Sequence, residues 1–200
     1  MPSSTQETPI LEFHPVTAER LADLGRFSEQ HGKFRYCSCM RWRMTSADYH
    51  RSTTESRVAA LDELVRQGTP VGVLAYVDGE PVGWCSIAPR ETYAALERYH
   101  ALPRIDDVPV WSVPVWSVVC FFVDRRVRRQ GVTLGLLKAA VEYAQLHGAA
   151  VVEGYPVEPG SRLYTYMGSP STFRQAGFHD VTPAGQARQV MRCVVGTLSR

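Results

Sequence analysis

Residues 118–137, VVCFFVDRRVRRQGVTLGLL, constrain the fold of this chain more than any other segment. An apolar run ends in a basic turn with one glycine, and the turn opens into a helix-patterned stretch. A strand that is apolar on both faces belongs between two layers, so residues 115–123 read as a central strand. The helix predicted from about residue 129 to 146 carries Leu134, Leu137, Val141 and Ala144 at helical spacing. After His147 and Gly148 a further strand is predicted over 149–152. A strand, a helix of this length and a second strand form a crossover unit, whose strands run parallel. The junction itself suits a phosphorylated ligand. Helix N-termini present unpaired N–H groups and a partial positive charge. Arg125, Arg126, Arg128 and Arg129 add full charges at the same end.

The rest of the chain fits around that unit. Residues 1–10 read as a frayed tail, and 11–16 alternate enough for a first strand. Thr17 is a helix N-cap ahead of Leu21, Leu24 and Phe27, and Gly32 takes the C-terminal position. The segment 33–44, KFRYCSCMRWRM, reads as irregular or briefly helical. Ser46 is predicted to cap one long helix through Gln67, with Val58, Leu61, Leu64 and Val65 as its apolar stripe. Two strands over 71–77 and 82–87 flank an Asp78-Gly79 turn, a strong hairpin signal. Residues 89–99 read as a short helix. Ser169 or Ser171 opens another, which ends at Ala176-Gly177. A strand, turn and strand close the chain. VPVWS occurs twice in tandem at 108–117, too short a repeat to build architecture. The whole is a single mixed α/β domain over 11–200 with helices on both faces of its sheet.

Composition narrows the function. A net charge of +2 gives no footprint for nucleic acid. The five cysteines are scattered and odd in number, which suggests buried thiols in a reducing compartment. The N-terminus lacks the pattern of a signal peptide, and no apolar run reaches the length of a membrane span. A cytoplasmic protein with no membrane partner is the expectation. Cys37 and Cys39 have no second Cys/His pair at zinc-like spacing, so no metal is expected.

The run Arg128-Arg129-Gln130-Gly131-Val132-Thr133, followed by Gly135-Leu136-Leu137, resembles the acyl-CoA pyrophosphate loop of the GNAT N-acetyltransferases. That family pattern is Arg or Gln, two residues, Gly, one residue, then Gly or Ala. A second family feature, a short helix ending in Gly-Phe, is matched by Phe173 to Phe178. CSCMRWR, PVGWCSIAPRE and VEGYPVEP resemble a bacterial subgroup of the same family. The resemblance implies the GNAT fold, a mixed central sheet whose parallel strand pair splays apart. It implies acetyl-CoA as co-substrate and an amine as acceptor, in a monomer or a homodimer.

On that resemblance, Arg128, Arg129, Gln130, Gly131, Val132 and Thr133 hold the pyrophosphate. Gly131 allows close backbone approach. Thr133 stands where Gly or Ala is usual; its hydroxyl donates to phosphate or its β-branch crowds the loop. Pantetheine lies along Phe121, Phe122 and Val123, and a strand N–H near Phe121 faces the thioester oxygen. Phe173 joins this cofactor set, yet it occupies the position of the family's usual tyrosine acid. Tyr164 and Tyr166 precede it, and Tyr166 is taken as the acid. Glu153 is the candidate base, a polar residue in an apolar strand, with a structural ion pair to an arginine as the alternative. Cys120 is read as inert, and His179 as a minor candidate for proton shuttling. Tyr36, Met40, Trp42 and Arg43 border the acceptor pocket, with Arg43 available to a carboxylate. The alternative for that cluster is plain hydrophobic packing with solvated arginines. Two other functions stay open: an acyl-CoA-binding module without catalysis, and a transferase for longer acyl chains walled by Phe121, Phe122 and Phe173.

Overall fold

The computed structural model describes residues 10–37, 39–105 and 114–195; the side chains of Lys33, Arg35 and Tyr36 lie outside that description. Along them run β1 (Leu11–Pro15), α1 (Leu21–Gln30), α2 (Gly32–Cys37), α3 (Ser46–Arg51), α4 (Thr54–Arg66), β2 (Gly72–Val77), β3 (Glu80–Pro89) and α5 (Ala94–Glu97). They continue with β4 (Val115–Val123), α6 (Val132–Leu146), β5 (Val151–Gly154), α7 (Pro170–Gln175), β6 (His179–Asp180) and β7 (Met191–Val194). The strands form one sheet in the order β1-β2-β3-β4-β5-β7-β6. β4 is central, as its two-sided apolarity requires. Its ladder with β5 is parallel and its ladder with β3 antiparallel.

The parallel ladder is short. It runs from Val115 opposite Val151 to Val118 opposite Gly154, where β5 ends while β4 continues to Val123. The register with β3 slips at the same place, with Ser86 opposite Cys120 and Ile87 opposite Val118, leaving Val119 as a bulge. A bulge bends and twists its strand. Five residues of β4 therefore extend beyond the end of β5, and a wedge opens beside them.

Side-chain alternation divides the core between the two faces. Val73, Cys85, Phe121 and Val123 pack with Val132, Leu136 and Ala140 of α6. Leu74, Trp84 and the edge of Phe122 pack with Leu24 and Phe27 of α1, Phe34 of α2 and Leu61 and Val65 of α4. Gly135 in α6 is a close-approach point. A Cβ there would fall 2.1 Å from the ring of Phe13 on β1. Gly135→Ala therefore destabilises the fold by about 1–3 kcal/mol through overpacking, although alanine is the better helix former. Thermal or urea unfolding reads the loss; an unchanged or raised stability overturns the argument.

The structure departs from several sequence expectations: Gly32 opens α2 instead of closing α1 in a left-handed conformation, and Thr17 makes no side-chain cap. The helix expected over 46–67 is two helices, because Thr53 leaves the helical conformation to cap α4. Its Oγ1 accepts from Ser56 N at 3.2 Å and its own N–H donates to Ser56 Oγ at 2.9 Å. The cap of the first piece is Thr45, not Ser46. α6 starts at Val132 rather than near 129, since Arg129 and Gly131 are both left-handed. The first VPVWS copy lies outside the described residues.

Candidate active site

The wedge beside β4 is a cleft of about 1120 Å³. Phe121, Phe122 and Val123 form its floor, and the turn from Val127 into the first residues of α6 forms one wall. Residues 157–160, Tyr166 and Thr172 face that wall, and Cys37, Cys39, Arg41, Trp42 and Tyr49 close the far end.

The basic turn is built from Asp124 outward. The Asp124 carboxylate accepts from the Arg126 backbone N–H and from its Nε, both at 2.9 Å. That hydrogen-bonded guanidinium holds the Asp124 carboxyl below the usual carboxylate range. Arg128 Nε donates to Val123 O at 3.2 Å and ties the turn back to the strand. Arg129 (φ 63°) and Gly131 (φ 79°) are left-handed, a sharp local winding that curls backbone N–H groups into a concave surface. Gly131 is the N-cap of α6 and brings no side chain, so the first-turn N–H groups of a fifteen-residue helix are left to other partners. Arg128, Arg129, Gly131, Val132 and Thr133 all line the cleft. Gln130 lies in the same turn, where its backbone N–H is what the expectation requires. Its side chain turns away, Nε2 donating to Arg126 O at 3.3 Å, and it does not line the cleft.

Phe173, expected to contact the cofactor, is placed in the core. It is fully buried, with its ring 6.1 Å from that of Phe121 and 5.0 Å from that of Phe178. A Cβ on Gly154 would meet this ring at 1.9 Å, so a glycine in β5 makes room for it. Tyr166, by contrast, lines the cleft and is 36% exposed. Burial raises its phenol well above the ordinary tyrosine range, with nearby thiols adding to the effect. Tyr164 packs instead against Tyr99, Trp42 and the guanidinium of Arg188, which sits 4.3 Å from its ring centroid.

Glu153 is the ion-paired alternative rather than a base facing the cleft. It is 1% exposed and absent from the cleft lining. Oε2 accepts from Arg90 Nη1 at 2.7 Å and from the Tyr155 hydroxyl at 2.8 Å. Oε1 accepts from Arg192 Nε at 2.8 Å and Nη2 at 2.6 Å. The placement follows from register: Glu153 lies opposite Ser117 of β4 and opposite Arg192 of β7.

The CSCMRWR segment reaches the cleft with different residues from those expected. Trp42 lines it; Met40 is buried in the core between the sheet and α1, α2 and α4. Arg43 is held elsewhere, donating to Thr92 Oγ1 and Pro70 O at 3.2 Å each, with its guanidinium 4.6 Å from the Tyr93 ring centroid. Tyr36 lies in α2 and its side chain is outside the described residues. Arg41, two positions before Arg43, lines the cleft instead. Nothing in the sequence distinguishes the two arginines, because their neighbours decide which is consumed. Cys37, Cys39 and Cys120 also line the far end. Burial acts to raise the Cys39 thiol. Hydrogen bonds from Cys120 and from Trp84 Nε1, which donates to Cys39 Sγ at 2.8 Å, together with the Arg43 charge, bring it below its ordinary value. Cys120 is pushed up by its hydrogen bond to Cys39 and by burial. His179 is exposed on β6 and does not line the cleft. Among the described residues no helix is long and apolar enough to cross a membrane.

Comparison with known proteins bears on the family and the fold. A family model described as acetyltransferase (GNAT) family matches residues 36–165. No protein of curated function matches the chain. Among solved structures, an acetyltransferase from Acinetobacter baylyi is similar at a TM-score of 0.57 with 13% identity, over 96% of this chain and 95% of that one. The PaiA N-acetyltransferase of Thermoplasma acidophilum, solved with coenzyme A, is similar at 0.51 with 14% identity, over 93% and 99% of the two chains. A longer GCN5-related N-acetyltransferase from Kribbella flavida aligns at 0.48 with 16% identity, and the chain spans 34% of its length while 86% of this chain is covered.

Proposed function

This chain belongs to the acetyltransferase (GNAT) family, and from that premise we propose that it transfers the acetyl group of acetyl-CoA to a primary amine, by direct attack in a ternary complex. The observation that carries the proposal is the left-handed Arg129–Gly131 turn at the N-terminus of α6, opening onto the unpaired end of β4. The turn offers converging N–H donors, a helix dipole and two cleft-facing arginines to a pyrophosphate. The exposed stretch of β4 offers backbone pairing to pantetheine.

Bound acetyl-CoA supplies an activated thioester. The chain's own groups do the rest. A β4 N–H near Phe121 stabilises negative charge on the thioester oxygen as the amine attacks. Tyr166, which lines the cleft, donates a proton to the departing thiolate. Glu153 is spoken for by two guanidiniums, so the amine arrives as its free base or loses its proton to water.

Tyr166→Phe lowers kcat about a hundredfold and leaves acetyl-CoA binding unchanged. The wild-type rate rises with pH as the amine deprotonates. A group with a raised pKa stays protonated until that higher value is passed, so no alkaline fall is expected up to about pH 10, where an ordinary tyrosine titrates. Thiol release from acetyl-CoA, measured over a panel of amines and across pH, checks both statements. A full rate in the phenylalanine variant removes Tyr166 from the mechanism. The second reading, an acyl-CoA-binding module without turnover, is favoured by one observation: Phe173 is buried where the family acid would stand. Tight binding without thiol release from any amine selects it.

A further inference from the structure

Once Arg43 is assigned to Thr92, Pro70 and Tyr93, Arg41 is the guanidinium that the described residues leave at the far end of the cleft. Arg41 is half-buried and lines the cleft. Its recorded contact is with the face of Tyr49, 5.5 Å from guanidinium to ring centroid. Neither a hydrogen bond nor an ion pair involves its side chain among the described residues. Arg41 and the proposed acid Tyr166 line the same cleft.

A second donor lies beside it. Trp42 is 5% exposed and lines the same cleft, and its indole Nε1 is buried with no hydrogen-bond partner. Buried N–H groups are nearly always paired, and among the described residues this one is not, so a ligand oxygen that reaches the ring from the cleft would find a free donor there. The charges agree. Among the described residues, Arg41, Arg128 and Arg129 line the cleft against one acidic residue, the exposed Glu158. Arg128 and Arg129 belong to the pyrophosphate turn; Arg41 is at the other end. A polyamine or other polycation brought there meets net repulsion and leaves the indole unpaired.

We infer that Arg41 and Trp42 form an anion subsite for the acceptor, selecting amines that carry a carboxylate or phosphate, such as amino acids, short peptides or aminoalkyl phosphates. This rests on the acetyltransferase reading for its chemistry, though not for its binding. The guanidinium pairs with the anion and the indole N–H donates to one of its oxygens. The anion fixes one end of the acceptor and leaves its amine free to approach the thioester.

The test uses matched probes on the full chain loaded with CoA. Glycine, β-alanine, glutamate and a glycyl dipeptide are each compared with the corresponding amide, and O-phosphoethanolamine with ethanolamine, by saturation-transfer NMR. At least one anionic probe is expected to bind about tenfold or more tightly than its neutral partner. Arg41→Gln removes that preference without changing CoA affinity, and costs the fold no more than the Tyr49 contact. Arg41→Lys restores part of it, and Trp42→Phe weakens it while keeping the ring. A phosphate-only preference identifies which anion is meant and supports the subsite. If no anionic probe binds in an Arg41-dependent way, the inference falls. Thiol release separates the two proposals. Arg41-dependent binding without release from acetyl-CoA keeps the subsite and removes the transferase. Release with neutral amines that is indifferent to Arg41→Gln keeps the transferase and removes the subsite.

Discussion

Gly131→Glu is expected to abolish acetyl-CoA binding to a protein that still folds. Gly131 sits at φ 79°, where an L side chain costs about 1–2 kcal/mol. A Cβ added there meets nothing within 4 Å, so the fold has room for the substitution and bears only the conformational cost. The ligand bears more. A carboxylate at the N-cap of α6 takes up the first-turn N–H groups for itself and sets a negative charge against the pyrophosphate. Titration calorimetry should show affinity reduced at least about a hundredfold, or ~2.7 kcal/mol. Gly131→Ala carries the strain without the charge and should lose far less. Wild-type affinity in the glutamate variant would mean that CoA is held somewhere other than this turn.

The largest effect on stability is expected at Glu153. The carboxylate lies between Arg90 and Arg192, all three nearly inaccessible to water. Removing one member of a buried ion pair leaves an uncompensated charge, at a cost of about 3–5 kcal/mol. Arg90 keeps a second partner, its Nε donating to Glu97 Oε1 at 2.9 Å, which places Glu153→Gln at the lower end of that range. For a domain of this size the melting temperature falls by roughly 10 °C. The same variant separates structure from catalysis. A structural Glu153 gives a less stable protein whose folded fraction transfers acetyl at near wild-type rate. A catalytic base would give a protein of unchanged stability and a rate lower by orders of magnitude.

Local pattern carried much of this protein on its own. The two-sided apolarity of β4 and the Asp78-Gly79 turn depend on near neighbours, so they are legible in the chain; of the stripe expected for α6, Leu137 and Ala144 are buried while Leu134 and Val141 are only half-buried. The place of the turn before α6 was legible too, though not its left-handed Arg129, which delays the helix to Val132. The single helix expected over 46–67 failed on a local competition, the reciprocal cap of Thr53 and Ser56, which an apolar stripe running across it conceals.

What only the tertiary structure decided is which polar side chains are free to act. Glu153 reads alike in sequence whether it faces a ligand or a guanidinium; the register that sets Arg192 across from it and the packing that delivers Arg90 settle the matter. Phe173 lies in the helix that the family motif marks, yet Gly154 draws its ring into the core. Arg41 and Arg43 share one short run, and Thr92, Pro70 and Tyr93, distant in sequence, consume the second and leave the first. Backbone conformation follows from residues a few positions apart. The availability of a charge or a proton depends on partners brought from across the chain, and those exist only once the fold has formed.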